Sequence, residues 1–112
     1  MTNFNNKICL SPFKEINCGS ESIYDYVKDG HMVPDTVITY LKSTTPYLMC
    51  PGVYEHPFNK GKMIPGPYLC KDDNFYWEQN TWEYVAKYHV ILPQEFIDYV
   101  MSDVDLPKKE DI

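Results

Sequence analysis

Four cysteines (Cys9, Cys18, Cys50, Cys70) and three histidines (His31, His56, His89) are the side chains here best suited to metal ligation or nucleophilic chemistry. A zinc site draws on close pairs such as C-x2-C, because adjacent ligands must converge on one tetrahedral centre. Eight residues separate Cys9 from Cys18, five separate Cys50 from His56, and the histidines are scattered. No metal site is assigned on that spacing, and buried, reduced thiols are the expectation. In an exported chain the four cysteines would allow three disulfide pairings. A Cys/His pair meets in space rather than in sequence, so a small Cys/His-dependent enzyme or metal-binding module stands as the alternative reading.

Asp72 and Asp73 resemble paired carboxylates for acid-base work, but adjacent acids in a turn are solvated and poorly shielded from water. The sequence contains no GxSxG, Walker loop or GxGxxG, and Gly61 and Gly66 are not followed by the Lys-Ser/Thr that reaches phosphate. No catalytic residue and no cofactor is therefore assigned, and the reading is of a protein that binds rather than catalyses.

Charge indicates what it would bind. Sixteen acids oppose ten bases, the formal net charge is −6, and every base is lysine. A nucleic-acid binder needs a basic footprint and the planar fork of arginine, so nucleic acid is excluded as a partner. An acidic surface suits a basic protein, because complementary charge accelerates encounter. No run approaches the roughly 20 apolar residues of a membrane span, and Met1 to Asn6 lack the basic-then-apolar pattern of a signal peptide. A cytoplasmic location without membrane contact is the expectation, and the oligomeric state is left open.

The elements that must position these side chains follow from periodicity. With 44% hydrophobic and 15% aromatic residues, the chain should fold as one domain over 1–102, with a flexible acidic tail at 103–112. Ile8 and Leu10 alternate in a short extended segment before Pro12. Ser20 or Ser22 caps a first helix carrying Ile23, Tyr26 and Val27, stopped by Gly30. Pro34 opens a second, with Val37, Ile38 and Leu41 on one face, ending near Ser43 to Thr45. From Pro46 to Pro67 the prolines and glycines leave room only for an ordered loop packed by its own apolar side chains.

A hairpin follows, Tyr68–Cys70 and Phe75–Trp77, turning through Lys71-Asp72-Asp73-Asn74. Asn80 and Glu83 read as the capping box of a third helix with Trp82, Val85, Ala86 and His89 inward. Pro93 opens a fourth, with Phe96, Ile97, Val100 and Met101 on its apolar face. The expected fold is α+β: about four short helices, a small antiparallel β-hairpin and a long ordered Pro/Gly-rich loop.

The succession Gly66-Pro67-Tyr68, an acidic turn, an aromatic strand ending in Trp77, then Trp82-x-Tyr84-Val85-x-Lys87-Tyr88 and Leu92-Pro93-x-Glu95-Phe96-Ile97 resembles a family of small uncharacterised bacterial proteins. Some of these resemble immunity proteins of polymorphic toxin systems. The likeness spans residues 30 to 101. It departs from the family pattern at Glu78, where Trp-Pro is common, and at Asp72-Asp73, where Asp-Gly is common, which leaves the turn type open. The resemblance implies a non-catalytic inhibitor that neutralises a toxin by covering its surface. On that reading Asp72, Asp73, Tyr76 and Glu78, with Tyr54 and Glu55 of the long loop, are candidate contacts to a basic toxin domain.

Overall fold

Phe75 and Trp77 fall on one face of a four-residue strand and Tyr76 and Glu78 on the other, and this alternation organises the molecule. The computed structural model describes residues 7–111, with side chains through Ser102. The expectation of a flexible tail at 103–112 falls outside the described side chains.

Among the described residues, six strands form two sheets. β1 (Ile8–Cys9), β2 (Leu48–Met49), β5 (Tyr68–Lys71) and β6 (Phe75–Glu78) make a mixed sheet in the order β1-β6-β5-β2. β1 runs parallel to β6, and the other pairs are antiparallel. β3 (Val53–Glu55) and β4 (Met63–Pro65) form a separate antiparallel hairpin, with Tyr54 opposite Ile64. The helices are α1 (Asp35–Ser43), α2 (Thr81–Tyr88) and α3 (Gln94–Asp111).

The Phe75/Trp77 face of the central strand carries the helices. Trp77 donates from Nε1 to the Leu41 carbonyl of α1 at 3.4 Å. The Phe96 ring of α3 lies 4.9 Å from Phe75 edge-on and 6.0 Å from Trp77. Val37 and Leu41, four apart on α1, are buried there together with Phe96, Ile97 and Val100 of α3.

The α+β class agrees with the sequence, but three elements correct the expectation. The first expected helix is a 3-10 turn over Ile23–Tyr26, so the described residues hold three α-helices rather than four. Ser22 caps it, accepting from the Tyr24 N–H at 3.3 Å. The segment is anchored at both ends: the Ile23 N–H donates to Glu15 Oε1 at 2.8 Å, and beyond its last residue Val27 bridges Val90 while the Ile91 N–H bonds the Tyr26 carbonyl.

The stretch from Pro46 to Pro67 is likewise no loop. β2, β3 and β4 fit between its breakers, and Pro65 sits in a strand of the small hairpin. Gly66, at φ +134°, closes the passage into β5, and a Cβ there would come within 2.9 Å of the Tyr68 amide nitrogen.

α2 is also rotated from its expected face. Thr81, Tyr84 and Val85 are buried, whereas Ala86 is exposed and Trp82 half-buried. The rotation is set at the helix start, where Thr81 Oγ1 donates to the Glu78 carbonyl at 2.6 Å. His89, expected on the inward stripe, is instead the left-handed C-cap at φ 61°, and its Nδ1–H donates to the His31 carbonyl at 3.0 Å.

Candidate functional site

The six candidate contact residues divide by burial. Asp72 shapes the β5–β6 turn: its Oδ1 accepts from the amides of Asn74 and Phe75, both at 2.8 Å, and its Oδ2 accepts from the Tyr40 hydroxyl of α1. Asp73 is exposed, and its carbonyl accepts from Lys7 Nζ at 2.8 Å. Glu55 is exposed on β3 and ties the far turn of its hairpin by accepting from the Gly61 amide at 2.8 Å. Tyr76 is half-buried on β6, and burial beside the Cys9 thiol pushes its hydroxyl up to about 12.

Tyr54 and Glu78 are brought together, but inside the protein. Glu78 is fully buried and Tyr54 nearly so, which closes both to a macromolecular partner. The Tyr54 hydroxyl lies 3.1 Å from Glu78 Oε1 and 2.8 Å from the Tyr84 hydroxyl. The Asn80 amide N–H donates to Oε1 at 2.9 Å, and Asn80 Nδ2 reaches Oε2 and the Tyr54 oxygen, each at 3.3 Å. Donor accounting fixes the chain: Tyr84 donates to Tyr54, which donates to the carboxyl. Asn80 therefore spends its side chain here rather than capping α2, and no side-chain cap forms.

Burial dominates the electrostatics of this cluster. It lifts the Glu78 carboxyl to about 7 against the pull of the Asn80 and Tyr54 donors, and it raises the Tyr54 and Tyr84 hydroxyls above the ordinary tyrosine range. Among the described residues no lysine or histidine forms an ion pair with Glu78. The sequence missed Tyr84 and Asn80 as partners of this carboxyl. The available signal was the period-2 alternation of Phe-Tyr-Trp-Glu, which puts Glu78 on the Tyr76 face.

His56 continues the inward face of β3 two residues beyond Tyr54. Its Nδ1 accepts from the Phe58 amide at 3.0 Å, so the proton of the neutral ring sits on Nε2, 3.6 Å from Glu83 Oε2. Its ring packs edge-on against Tyr84 and Tyr88 at 5.4 and 5.6 Å. Glu83, expected to cap α2, thus faces His56 and the Lys87 ammonium 3.9 Å away. His56 also borders a surface cleft of about 250 Å³ with Glu15, Tyr24, Glu55, Pro57 and Lys60.

No family model, curated protein or solved structure matches the chain.

Among the described residues, no group of three His, Cys, Asp or Glu side chains converges as a metal would require. All four cysteines are free, and burial pushes the Cys9, Cys18 and Cys70 thiols up, Cys70 to about 11. A thiol so shifted is a poor nucleophile near neutrality. No helix among the described residues is long and apolar enough to cross a membrane.

The surface offers a different feature. Met49 is 60% exposed, Val53 57% and Met63 54%, with Tyr47 and Leu48 at about 40%. Leu48 and Met49 lie on β2, an edge of the mixed sheet, with Tyr47 just before it, and Val53 and Met63 lie on β3 and β4 of the small hairpin. The pairing of Leu48 with Leu69 and of Met49 with Tyr68 brings Tyr47 toward Lys71, whose Nζ sits 4.7 Å over its ring. Tyr47 therefore lies toward the turn that holds Asp72 and Asp73.

Proposed function

We propose that this chain is a non-catalytic, cytoplasmic inhibitor that binds a basic protein, an immunity protein that neutralises a toxin by covering its surface. The observation that carries the reading is the row of exposed apolar side chains on β2, β3 and β4, with Met49, Val53 and Met63 more than half exposed. Methionines adapt their shape to a partner, and apolar anchors buried at the centre of an interface supply most of its affinity. Glu55, paired with Met63 in the hairpin, and the exposed Asp73 would serve as its charged rim, while Asp72 shapes the turn beside them. The net charge of −6 favours a cationic partner and fast encounter. Tyr54 and Glu78 support the surface from inside rather than touching the partner.

The test begins with the product of a neighbouring toxin-like gene. Co-expression should yield a stable complex that weakens as salt rises, with Met49→Lys and Val53→Asp each reducing affinity by more than about tenfold while the fold persists. Affinity unaffected by either substitution would refute this surface as the contact, and salt-insensitive binding would refute the charge steering.

A further inference from the structure

The cleft beside His56 draws its walls from two parts of the chain that are distant in sequence. Glu15, in a 3-10 turn over Lys14–Ile16, and Tyr24, in the turn over Ile23–Tyr26, come from the N-terminal segment. Glu55, Pro57 and Lys60 come from β3 and the connection that follows it, with the buried His56 behind them. The Tyr24 hydroxyl joins the two parts by donating to the Pro57 carbonyl at 2.6 Å, and its ring stands edge-on to Phe58 at 5.6 Å. The ring is held in place by these contacts, yet Tyr24 remains 52% exposed.

Both carboxylates of the cleft are oriented before anything binds. Glu15 accepts from the Ile23 N–H at 2.8 Å and from the Ser22 hydroxyl at 2.9 Å, one bond on each oxygen. Glu55 Oε2 accepts from the Gly61 N–H at 2.8 Å. Each of these oxygens keeps a second lone pair. Burial, and after it the charges of Glu15 and Glu55, raise the Tyr24 hydroxyl above its ordinary value, so both carboxylates act on the space around that ring. Among the described residues neither carboxylate forms an ion pair.

We propose that this cleft, of about 250 Å³, receives an arginine side chain of a protein partner, with the guanidinium on the Tyr24 ring and its N–H groups bonded to Glu15 and Glu55. A guanidinium is planar and weakly hydrated, stacks on aromatic faces and presents five donors in a fixed fork, which matches one exposed ring flanked by two acceptor groups. A lysine ammonium brings a point charge without the plane. Carboxylates already held by their own backbone bonds lose little freedom on binding. Lys60 borders the same cleft, and its ammonium opposes a bound cation. Glu55 pairs with Met63 across the hairpin, so the cleft opens beside the exposed apolar side chains of β3 and β4. Which protein supplies the arginine rests on the proposed function; the chemistry of the cleft does not.

Titration of the nitrogen-15-labelled chain with Nα-acetyl-arginine methylamide, followed by amide NMR shifts at low salt, tests the cleft without any toxin. The Ile23, Tyr24 and Gly61 amides should shift and saturate with a dissociation constant below about 10 mM. The citrulline analogue, which keeps the shape and lacks the charge, should bind at least about tenfold more weakly, and the lysine analogue more weakly than arginine. Glu55→Gln and Glu15→Gln should each weaken arginine binding at least about threefold, and Lys60→Met should strengthen it. Equal binding of citrulline, tighter binding of lysine, shifts centred away from the cleft, or an affinity unchanged by Glu55→Gln would each overturn the assignment. Glu55 is exposed, so that variant keeps the test decisive if Glu15→Gln fails to fold. Failure of the toxin complex leaves this titration unaffected, whereas a failed titration beside an intact complex overturns the cleft alone.

Discussion

The hydroxyl of Tyr54 lies 3.1 Å from Glu78 Oε1, and through that contact a two-stranded hairpin is joined to the interior strand of a separate sheet. Both groups are buried, so their bond acts in a medium where an unmade partner is expensive. Tyr54→Phe removes the hydroxyl while keeping the ring. Stability should fall by about 1–2 kcal/mol in denaturant unfolding, because the carboxyl loses a donor and the Tyr84 hydroxyl loses its acceptor.

Glu78 also predicts how stability varies with pH. Its folded carboxyl titrates near 7 and its unfolded one near 4.5, so between those values the folded state holds more protons than the unfolded. Stability from this group is complete below about pH 4.5 and is lost as pH rises through about 7, a difference on the order of 3 kcal/mol. Urea midpoints measured across that window should fall with rising pH. Glu78→Gln should flatten the curve.

Asp72 and Asp73 separate structural from surface roles within one turn. Asp72 accepts two amide N–H groups and the Tyr40 hydroxyl, so Asp72→Ala should destabilise by about 1–3 kcal/mol. Asp73 is exposed, and Asp73→Ala should change stability by less than about 0.5 kcal/mol. Thermal unfolding of the two variants side by side checks the contrast. On the proposed function, Asp73→Ala should slow association with a basic partner at low salt.

The helix face of the sheet gives a fourth prediction. Phe96 is fully buried, with Phe75, Trp77 and Tyr40 rings within 4.9 to 6.0 Å. Phe96→Ala should cost about 3–5 kcal/mol in denaturant unfolding, since the rigid rings around it cannot collapse into the space.

Much of the fold was legible where local signals and packing agree. Pro34 and Pro93 mark the starts of α1 and α3, and Val37, Leu41, Phe96, Ile97 and Val100 face inward as their spacing requires. The Asp72 turn was legible because an Asp side chain mimics a backbone turn. The strands within 46–67 were not, because two- and three-residue strands show no periodicity and are defined by partners distant in sequence. Asn80 and Glu83 read as a capping box, yet Asn80 turns to Glu78 and Glu83 to His56, so tertiary partners outcompete the local bond. For the candidate site, charge and turn chemistry placed Asp73 and Glu55 on the surface. Glu78 was misplaced there because a carboxylate is so seldom buried without a cation.

On the proposed function, the chain binds a basic protein through the exposed apolar side chains of β2, β3 and β4. The most direct measurement is the dissociation constant for the co-expressed neighbouring toxin domain, with the native chain and with Val53→Asp, at low and high salt. Binding should be tight at low salt and weaken as salt rises, with a loss of more than about tenfold in Val53→Asp at either salt. Equal affinity of the two chains for that domain, or no complex at low salt, would contradict it.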